Sequence, residues 1–316
     1  MKEKKTGENS FGAAIFISAV NLIPLRWRII LFRGLGWVIY VLDDRHRRIA
    51  HRNLALAFPE KDRKGREEIV RSAFGNLCRV AAEFLFLPRL NEENFSRYLT
   101  YEGLENFQQA YGKGRGVLFL TAHFGNWEWM AAGFPLQTRH RCHVVYRPLD
   151  TPFLDRVVER LRTATGNQTI PKQKAMGQIL RLLKRGEVVG ILLDQNMAWQ
   201  EGVFVDFFGE QACTNTGMAL LALRMGTPVL PVFCLRQEDG RYRVVIEPEI
   251  PLVQTGDKEQ DVAKNTEMFT KVIERYIRNY PDHWLWLHQR WKTRPWQAKR
   301  MKDGNTEEYR RNGIME

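Results

Sequence analysis

The chain of 316 residues is long enough for one large α/β domain with appendages, and its 44% hydrophobic content supports a sizeable core. Forty-eight lysines and arginines against 36 acidic residues give a formal charge of +12. That excess calls for an anionic partner or surface without choosing between nucleic acid, anionic lipid and an acidic protein. The four cysteines, Cys78, Cys142, Cys213 and Cys234, lack C-x-x-C spacing and read as reduced, buried thiols of a cytosol-facing protein.

Residues 1–10 are polar and read as a loose start. Residues 11–25 form an apolar run that is short of the ~20 residues a spanning helix needs, and a second run, 29–42, is interrupted by Arg33, Gly34 and Gly36. No small-residue cleavage pattern follows either, so neither reads as a signal peptide. The pair reads as helices lying in or dipping into a bilayer leaflet, with Arg26, Arg28 and Arg33 reaching headgroups. Segment 1–44 is accordingly set apart as a membrane anchor, with a main domain over 45–296 and a polar tail over 297–316. Arg45, Arg47, Arg48 and Arg52 suit the cytoplasmic side of a bilayer. Asp62 opens a helix whose stripe of Ile69, Ala73, Leu77, Val80 and Phe84 is core packing, and Pro88 ends it. Residues 91–114 read as a polar connection.

The stretch 116–130 organises the rest. An apolar strand over 117–121 ends at His123, Gly125 and Asn126 supply a turn and a helix N-cap, and a helix opens over 127–132 with Glu128 in its first turn. Ligands of open α/β sheets bind outside the carboxyl ends of strands, which is where His123 falls. A histidine whose second nitrogen is held by a carboxylate is a general base, and Glu128 is the carboxylate within reach. Only four serines occur, none beyond Ser96, and no G-x-S-x-G elbow is present. The chemistry favoured is therefore direct attack of a substrate hydroxyl on an acyl carbon, with no protein nucleophile.

A strand over 143–146 stops at Arg147-Pro148, which aims Arg147 at the same rim, where a guanidinium can fork onto phosphate or carboxylate. His140, Cys142 and His143 come nearest to a metal set, but alternate strand residues face opposite sides and no further ligand is spaced to help, so no metal is expected. A helix over 155–165 carries Arg156, Arg160 and Arg162 on one basic side, which Lys172 and Lys174 extend. After a helix over 175–185, a strand over 187–193 delivers Asp194, Gln195 and Asn196 to the rim. Residues 203–209 read as an aromatic loop, either the wall of an acyl groove or packing. A helix over 214–225, capped by Thr214 or Asn215, two strands over 228–235 and 242–246 joined at Asp239-Gly240, and a helix over 261–280 follow. Trp284, Trp286, Trp291 and Trp296 then alternate with His288, Arg290, Lys292 and Arg294. Such a segment can stack on single-stranded nucleic acid or sit at a membrane interface, and the apolar N-terminus selects the membrane.

His123-Phe-Gly-Asn-Trp-Glu128 resembles the H-x4-D/E signature of the glycerolipid and lysophospholipid acyltransferase superfamily. More narrowly, residues 48–60, Tyr146-Arg-Pro148, Arg162 with Gly166-Asn167, 186–195 and 284–295 resemble, in order, the bacterial lipid A biosynthesis acyltransferases, the late lauroyl and myristoyl transferases. The one departure noticed is Ala122, where an asparagine often precedes the histidine. The resemblance implies an α/β fold, a glycerolipid-acyltransferase-like mixed sheet flanked by helices, with an N-terminal membrane-associated helical segment. It implies an O-acyltransferase at the cytoplasmic face of the inner membrane that moves a fatty acyl group from acyl carrier protein to a hydroxyl of a Kdo-bearing lipid A precursor, without metal, cofactor or nucleic acid. His123 would be the base and Glu128 its orienting carboxylate. Arg147, Arg162, Asp194 and Gln195 would bind substrate, and the 124–126 turn and Arg147 are the candidate donors to the oxyanion. The alternatives are another phospholipid or glycolipid acceptor, and a non-catalytic membrane-surface binding protein.

Overall fold

The computed structural model describes residues 15, 17–173 and 175–296. The readings of the polar start, of Lys174 and of the 297–316 tail lie outside these residues, as does most of the first half of the 11–25 run.

Helices α1 (Leu25–Leu42), α2 (Asp44–Ala57) and α3 (Arg63–Phe84) precede the sheet. Asp43 and Asp62 start α2 and α3 by accepting the backbone N–H of His46 and Gly65, groups that a helix start otherwise leaves unpaired. α1 lies so close to α3 that a Cβ at Gly36 would meet Phe74 O and Cys78 Cβ at 3.2 Å. Arg28 corrects the expectation that it reaches headgroups. Its guanidinium is buried, donating to Asn21 Oδ1 at 3.0 Å, to Ile23 O at 3.1 Å and to Ala82 O at 3.5 Å. Arg26 and Arg33 stay exposed. The outer side of α1 is apolar: of the seventeen exposed large hydrophobic side chains among the described residues, eleven fall between Ile15 and Leu42. No helix among the described residues is long and apolar enough to cross a membrane.

The chain continues through β1 (Leu99–Glu102), α4 (Leu104–Tyr111), β2 (Val117–Thr121), α5 (Trp127–Thr138), β3 (Cys142–Tyr146), α6 (Pro152–Thr163), β4 (Gln168–Pro171), α7 (Ala175–Lys184) and β5 (Val188–Leu192). β6 (Gly202–Phe207), β7 (Glu210–Asn215), α8 (Gly217–Met225), β8 (Val229–Arg236), β9 (Tyr242–Ile246) and α9 (Lys258–Asn279) complete the order. A seven-stranded sheet runs β1-β9-β8-β2-β5-β3-β4, parallel at every pair except β8–β9. It is the α/β mixed sheet flanked by helices that the sequence implied.

β2 sits at the centre with all five residues buried, because helices cover both faces of the sheet. Leu118 and Leu120 turn to one core, Val117 and Phe119 to the other. At about 1.5–3 kcal/mol per fully buried large apolar side chain, this strand anchors both cores at once.

The sequence reading assigns no element to α2 or β4, and three further segments depart from it. Residues 91–114 are not a plain connection, since they contain β1 and α4. Residues 203–209 are not a loop, since β6 and β7 pair as an antiparallel hairpin. Trp284, Trp286 and Trp291 are at most 4% exposed while Trp296 is 53% exposed, so three of the segment's four tryptophans are core and they form neither a membrane belt nor a nucleic-acid platform.

Candidate active site

β2 and β5 are neighbours, with Thr121 in register with Leu192 and Leu193 N–H donating to Thr121 O at 3.0 Å. His123 and Asp194 each lie two residues past that register pair, so the two strand exits meet. Asp194 Oδ1 accepts from His123 Nδ1 at 2.9 Å, and Oδ2 accepts from His123 N–H at 3.0 Å and from Trp284 Nε1 at 2.8 Å. A carboxylate only accepts, so Nδ1 carries the hydrogen of the neutral ring and Nε2 keeps its lone pair. Burial pushes the Asp194 carboxyl up, but the imidazole, the indole N–H and the backbone N–H outweigh it and bring it down to about 2. An imidazole held this way can take a proton on Nε2.

The expected pairing of His123 with Glu128 is corrected by this geometry. Glu128 accepts a fork from Arg162, with Nη2 to Oε1 at 2.6 Å and Nε to Oε2 at 3.0 Å, and Oε1 also accepts from Trp127 Nε1 at 3.1 Å. The Trp127 ring meets the His123 ring edge-on with centroids 5.2 Å apart, so Glu128 bears on the histidine through Trp127. Arg162 lies between the Phe84 and Tyr146 rings, 5.8 and 5.7 Å from their centroids, turned inward and away from Arg160, which is exposed. Burial alone would lower its pKa; Glu128 reverses that and raises it. Asp194, expected at the substrate, stands behind the imidazole instead.

The turn after β2 requires its glycine. Gly125 has φ +58° and a Cβ there would stand 1.8 Å from Cys234 O. Its N–H donates to His283 O at 2.9 Å, and Phe124 N–H to Ala122 O at 2.7 Å, so neither is left for an oxyanion. Asn126 caps α5 by accepting Trp129 N–H at 2.9 Å, while its own amide donates to Glu83 Oε2 at 2.7 Å. Glu83 also accepts from Tyr242 OH at 2.6 Å and Arg79 Nε at 2.8 Å, fixing the turn from below. Sequence reasoning passed over Glu83 and Asn76, polar residues spaced into the apolar stripe of α3, where polarity was itself the signal.

The tryptophan-rich segment closes the other side. Leu285 N–H donates to His123 O at 3.1 Å, Asn196 N–H donates to His288 Nε2 at 2.9 Å, and Asn196 and Thr293 exchange side-chain and backbone bonds at 3.0 and 3.1 Å. Arg290 is fully buried, donating to Cys213 O at 2.8 Å and Thr214 Oγ1 at 2.5 Å.

These elements surround a cavity of about 890 Å³. Its rim carries His123, Glu128, Arg147, Arg162, Gln195 and His288, and its depth is apolar: Phe119, Met130, Phe134, Val144 and Gly190 lie between α5 and the sheet. Arg147 is largely exposed, 3.6 Å from Asp150, and Gln195 is exposed. Gly190 is in register with Phe119, four residues before His123, so the cavity runs roughly 13 Å down the strands from the imidazole. The arrangement is a base at the mouth of an apolar slot, with cations around the opening.

The sequence profile of the bacterial lipid A biosynthesis acyltransferases matches residues 5–293. A lipid A biosynthesis lauroyltransferase of Escherichia coli (strain K12) is 31% identical over 266 residues, covering 83% of this chain and 84% of that one. A lipid A biosynthesis palmitoleoyltransferase of the same organism is 28% identical over 277 residues, 86% and 88% of the two chains. A phosphatidylinositol mannoside acyltransferase of Mycolicibacterium smegmatis (strain ATCC 700084 / mc(2)155) is 24% identical over 244 residues, 76% and 78%.

Proposed function

The chain belongs to the bacterial lipid A biosynthesis acyltransferase family, an acyltransferase by that membership, and from that premise we propose that it moves a fatty acyl group from the thioester of acyl carrier protein to a hydroxyl of a lipid A precursor at the cytoplasmic face of the inner membrane. The observation that carries the reading is the His123–Asp194 pair at the mouth of an apolar cavity. His123 Nε2 takes the proton of the acceptor hydroxyl while Asp194 holds the ring and steadies the imidazolium that forms. The acyl chain lies in the slot lined by Phe119, Phe134 and Gly190, which places its carbonyl at the rim. Glu128 and Arg162 fix Trp127 against the histidine, and Arg147 and Gln195 stand where the acceptor's charged headgroup would enter.

Membrane attachment is supported by the apolar outer face of α1, with Trp27, Leu31 and Trp37 exposed, followed by the arginines of α2. Such a helix lies in the interface, with basic residues meeting anionic headgroups. Lys172, exposed on the cavity lining, and Arg160, exposed on α6, suit an acidic carrier, whose docking is steered by charge and weakened by salt.

The test is mass spectrometry of the lipid product with purified, detergent-solubilised protein, given the same acyl chain on acyl carrier protein or on coenzyme A. Acylated lipid A precursor from the carrier donor is expected, with His123→Ala at least ~10²-fold slower. Full activity of His123→Ala refutes the mechanism. Equal turnover with acyl-coenzyme A, indifferent to charge reversal at Arg160 and Lys172, refutes the carrier.

A further inference from the structure

Acyl transfer by direct attack builds negative charge on the carbonyl oxygen, and a hydrogen-bond donor must meet it. The turn beside His123 supplies none from Phe124 or Gly125, whose N–H groups are already spent on Ala122 O and His283 O. A second imidazole stands at the rim. His288 lines the same cavity as His123, and the segment carrying it is tied to the histidine strand by Leu285 N–H on His123 O at 3.1 Å.

The tautomer of His288 follows from its partner. Asn196 donates its backbone N–H to Nε2 at 2.9 Å, and a backbone amide can only donate. Nε2 is therefore the bare nitrogen and the ring's hydrogen is on Nδ1. Among the described residues Nδ1 has no hydrogen-bond partner. Asn196 cannot drift from this bond, because its side chain donates to Thr293 Oγ1 at 3.0 Å and accepts Thr293 N–H at 3.1 Å. Asn53 fixes the backbone of His288 from the other side, donating to its carbonyl at 2.7 Å. Desolvation and the neighbouring His123 and Arg290 hold the His288 pKa below its ordinary value, only partly offset by Asp194, so the ring stays a neutral donor at neutral pH.

We propose that His288 is a further catalytic residue, its Nδ1–H donating to the oxyanion of the tetrahedral intermediate. The inference rests on His123 acting as base toward an acyl donor. In the step, the acceptor hydroxyl gives its proton to His123 Nε2 as its oxygen bonds to the acyl carbon. The carbonyl π pair moves onto oxygen, which accepts from His288 Nδ1–H. Collapse restores the C=O, breaks the C–S bond of the thioester, and the thiolate leaves with the proton from His123.

The experiment compares His288→Gln with His288→Met, side chains of nearly equal shape of which only glutamine has an N–H, alongside His123→Ala, measuring kcat and KM for donor and acceptor in the full-length solubilised protein and melting each variant. His288→Met is expected to lose about 10²–10³-fold in kcat with both KM values within about threefold, and His288→Gln to keep at least about tenfold more kcat than His288→Met. His288→Met at wild-type kcat, or the two variants equally slow at equal melting temperature, overturns the inference. If His288→Met does not fold, His288→Ala replaces it as the comparison for glutamine. His123→Ala inactive with His288→Met fully active refutes this inference alone, whereas His123→Ala active refutes the reading beneath it.

Discussion

Replacing Asp194 with asparagine changes one oxygen for an amide in a site where both oxygens accept. Oδ2 takes two hydrogens, from His123 N–H and Trp284 Nε1, and Oδ1 takes the one on His123 Nδ1. An asparagine keeping its oxygen toward the first two satisfies both and presents its NH2 to the ring. The opposite orientation faces two buried donors with a third and fourth, at about 1–3 kcal/mol for each donor left unpaired. The first orientation wins, and the ring answers by accepting on Nδ1 and moving its hydrogen to Nε2, where the base is needed. The variant is thus folded, correctly shaped and in the wrong tautomer, and kcat should fall about 10³–10⁴-fold, as it does when a catalytic triad loses its carboxylate this way. Stability carries a second signature. The folded carboxyl is held down at about 2 against 3.8 for the free group, worth on the order of 2 kcal/mol. Because the folded value is the depressed one, that contribution is full above the free value and drains away as pH falls toward 2. The stability gap between wild type and Asp194→Asn, read from denaturant melts, should therefore close as the pH is lowered from about 5 to about 2. Acyl transfer by Asp194→Asn within about tenfold of wild type at neutral pH would refute the tautomer argument.

Three further outcomes are expected. Glu128→Gln leaves Arg162 without its counter-charge and should cost about 1–3 kcal/mol in a thermal melt, with a loss in kcat well short of that of Asp194→Asn; a loss equal to that of His123→Ala would make Glu128 the direct partner of the imidazole. Gly190→Leu should shorten the preferred acyl chain in a competition of donors read by mass spectrometry, at about 0.8 kcal/mol per displaced methylene, since a Cβ there touches only Cys142 Sγ at 3.4 Å and the side chain fills the slot; an unchanged chain-length profile places the acyl group elsewhere. Leu31→Asp with Trp37→Asp should release the protein from anionic vesicles in a flotation assay while leaving its melting temperature near wild type, because both side chains face outward; undiminished binding puts the membrane contact on another surface.

Local pattern revealed β2, β3, β5, the β8–β9 hairpin and the helices between them, each carrying its own periodicity and caps. What it missed depends on distant chain. β1 is four residues long and pairs with β9, so Leu99 finds its partner at Tyr242. The β6–β7 turn places Phe208 at φ +62° before Gly209 at φ +80°, and a bulky residue in that region hides a turn that Asn-Gly would announce. Phe208 is held there by tertiary contacts, its N–H on Glu274 Oε2 at 2.9 Å and the Arg278 guanidinium 4.4 Å over its ring. The tryptophans looked amphipathic because Arg290 lies among them, and only the fold shows that its charge is spent on the carbonyls of β7 and the Asp194 turn.

The carboxylate beside His123 shows why spacing along the chain misjudges a site built across a sheet. Glu128 is five residues away and Asp194 seventy-one, yet the nearer residue is carried off by a helix whose first side chain, Trp127, stands between it and the ring. The farther one is delivered by a neighbouring strand, with β3 and β4 intervening in sequence and displaced in space by the crossovers. The strand is the more rigid source. β5 is bonded to β2 along its length, whereas a residue at the start of α5 depends on a cap and on Glu83 beneath it. Orientation of the His123 ring is thereby assigned to a pair of central strands bonded over all five residues of β2. The start of α5, with Trp127 on the imidazole edge and Glu128 held by Arg162 of α6, braces the ring from the side and acts on it only through Trp127.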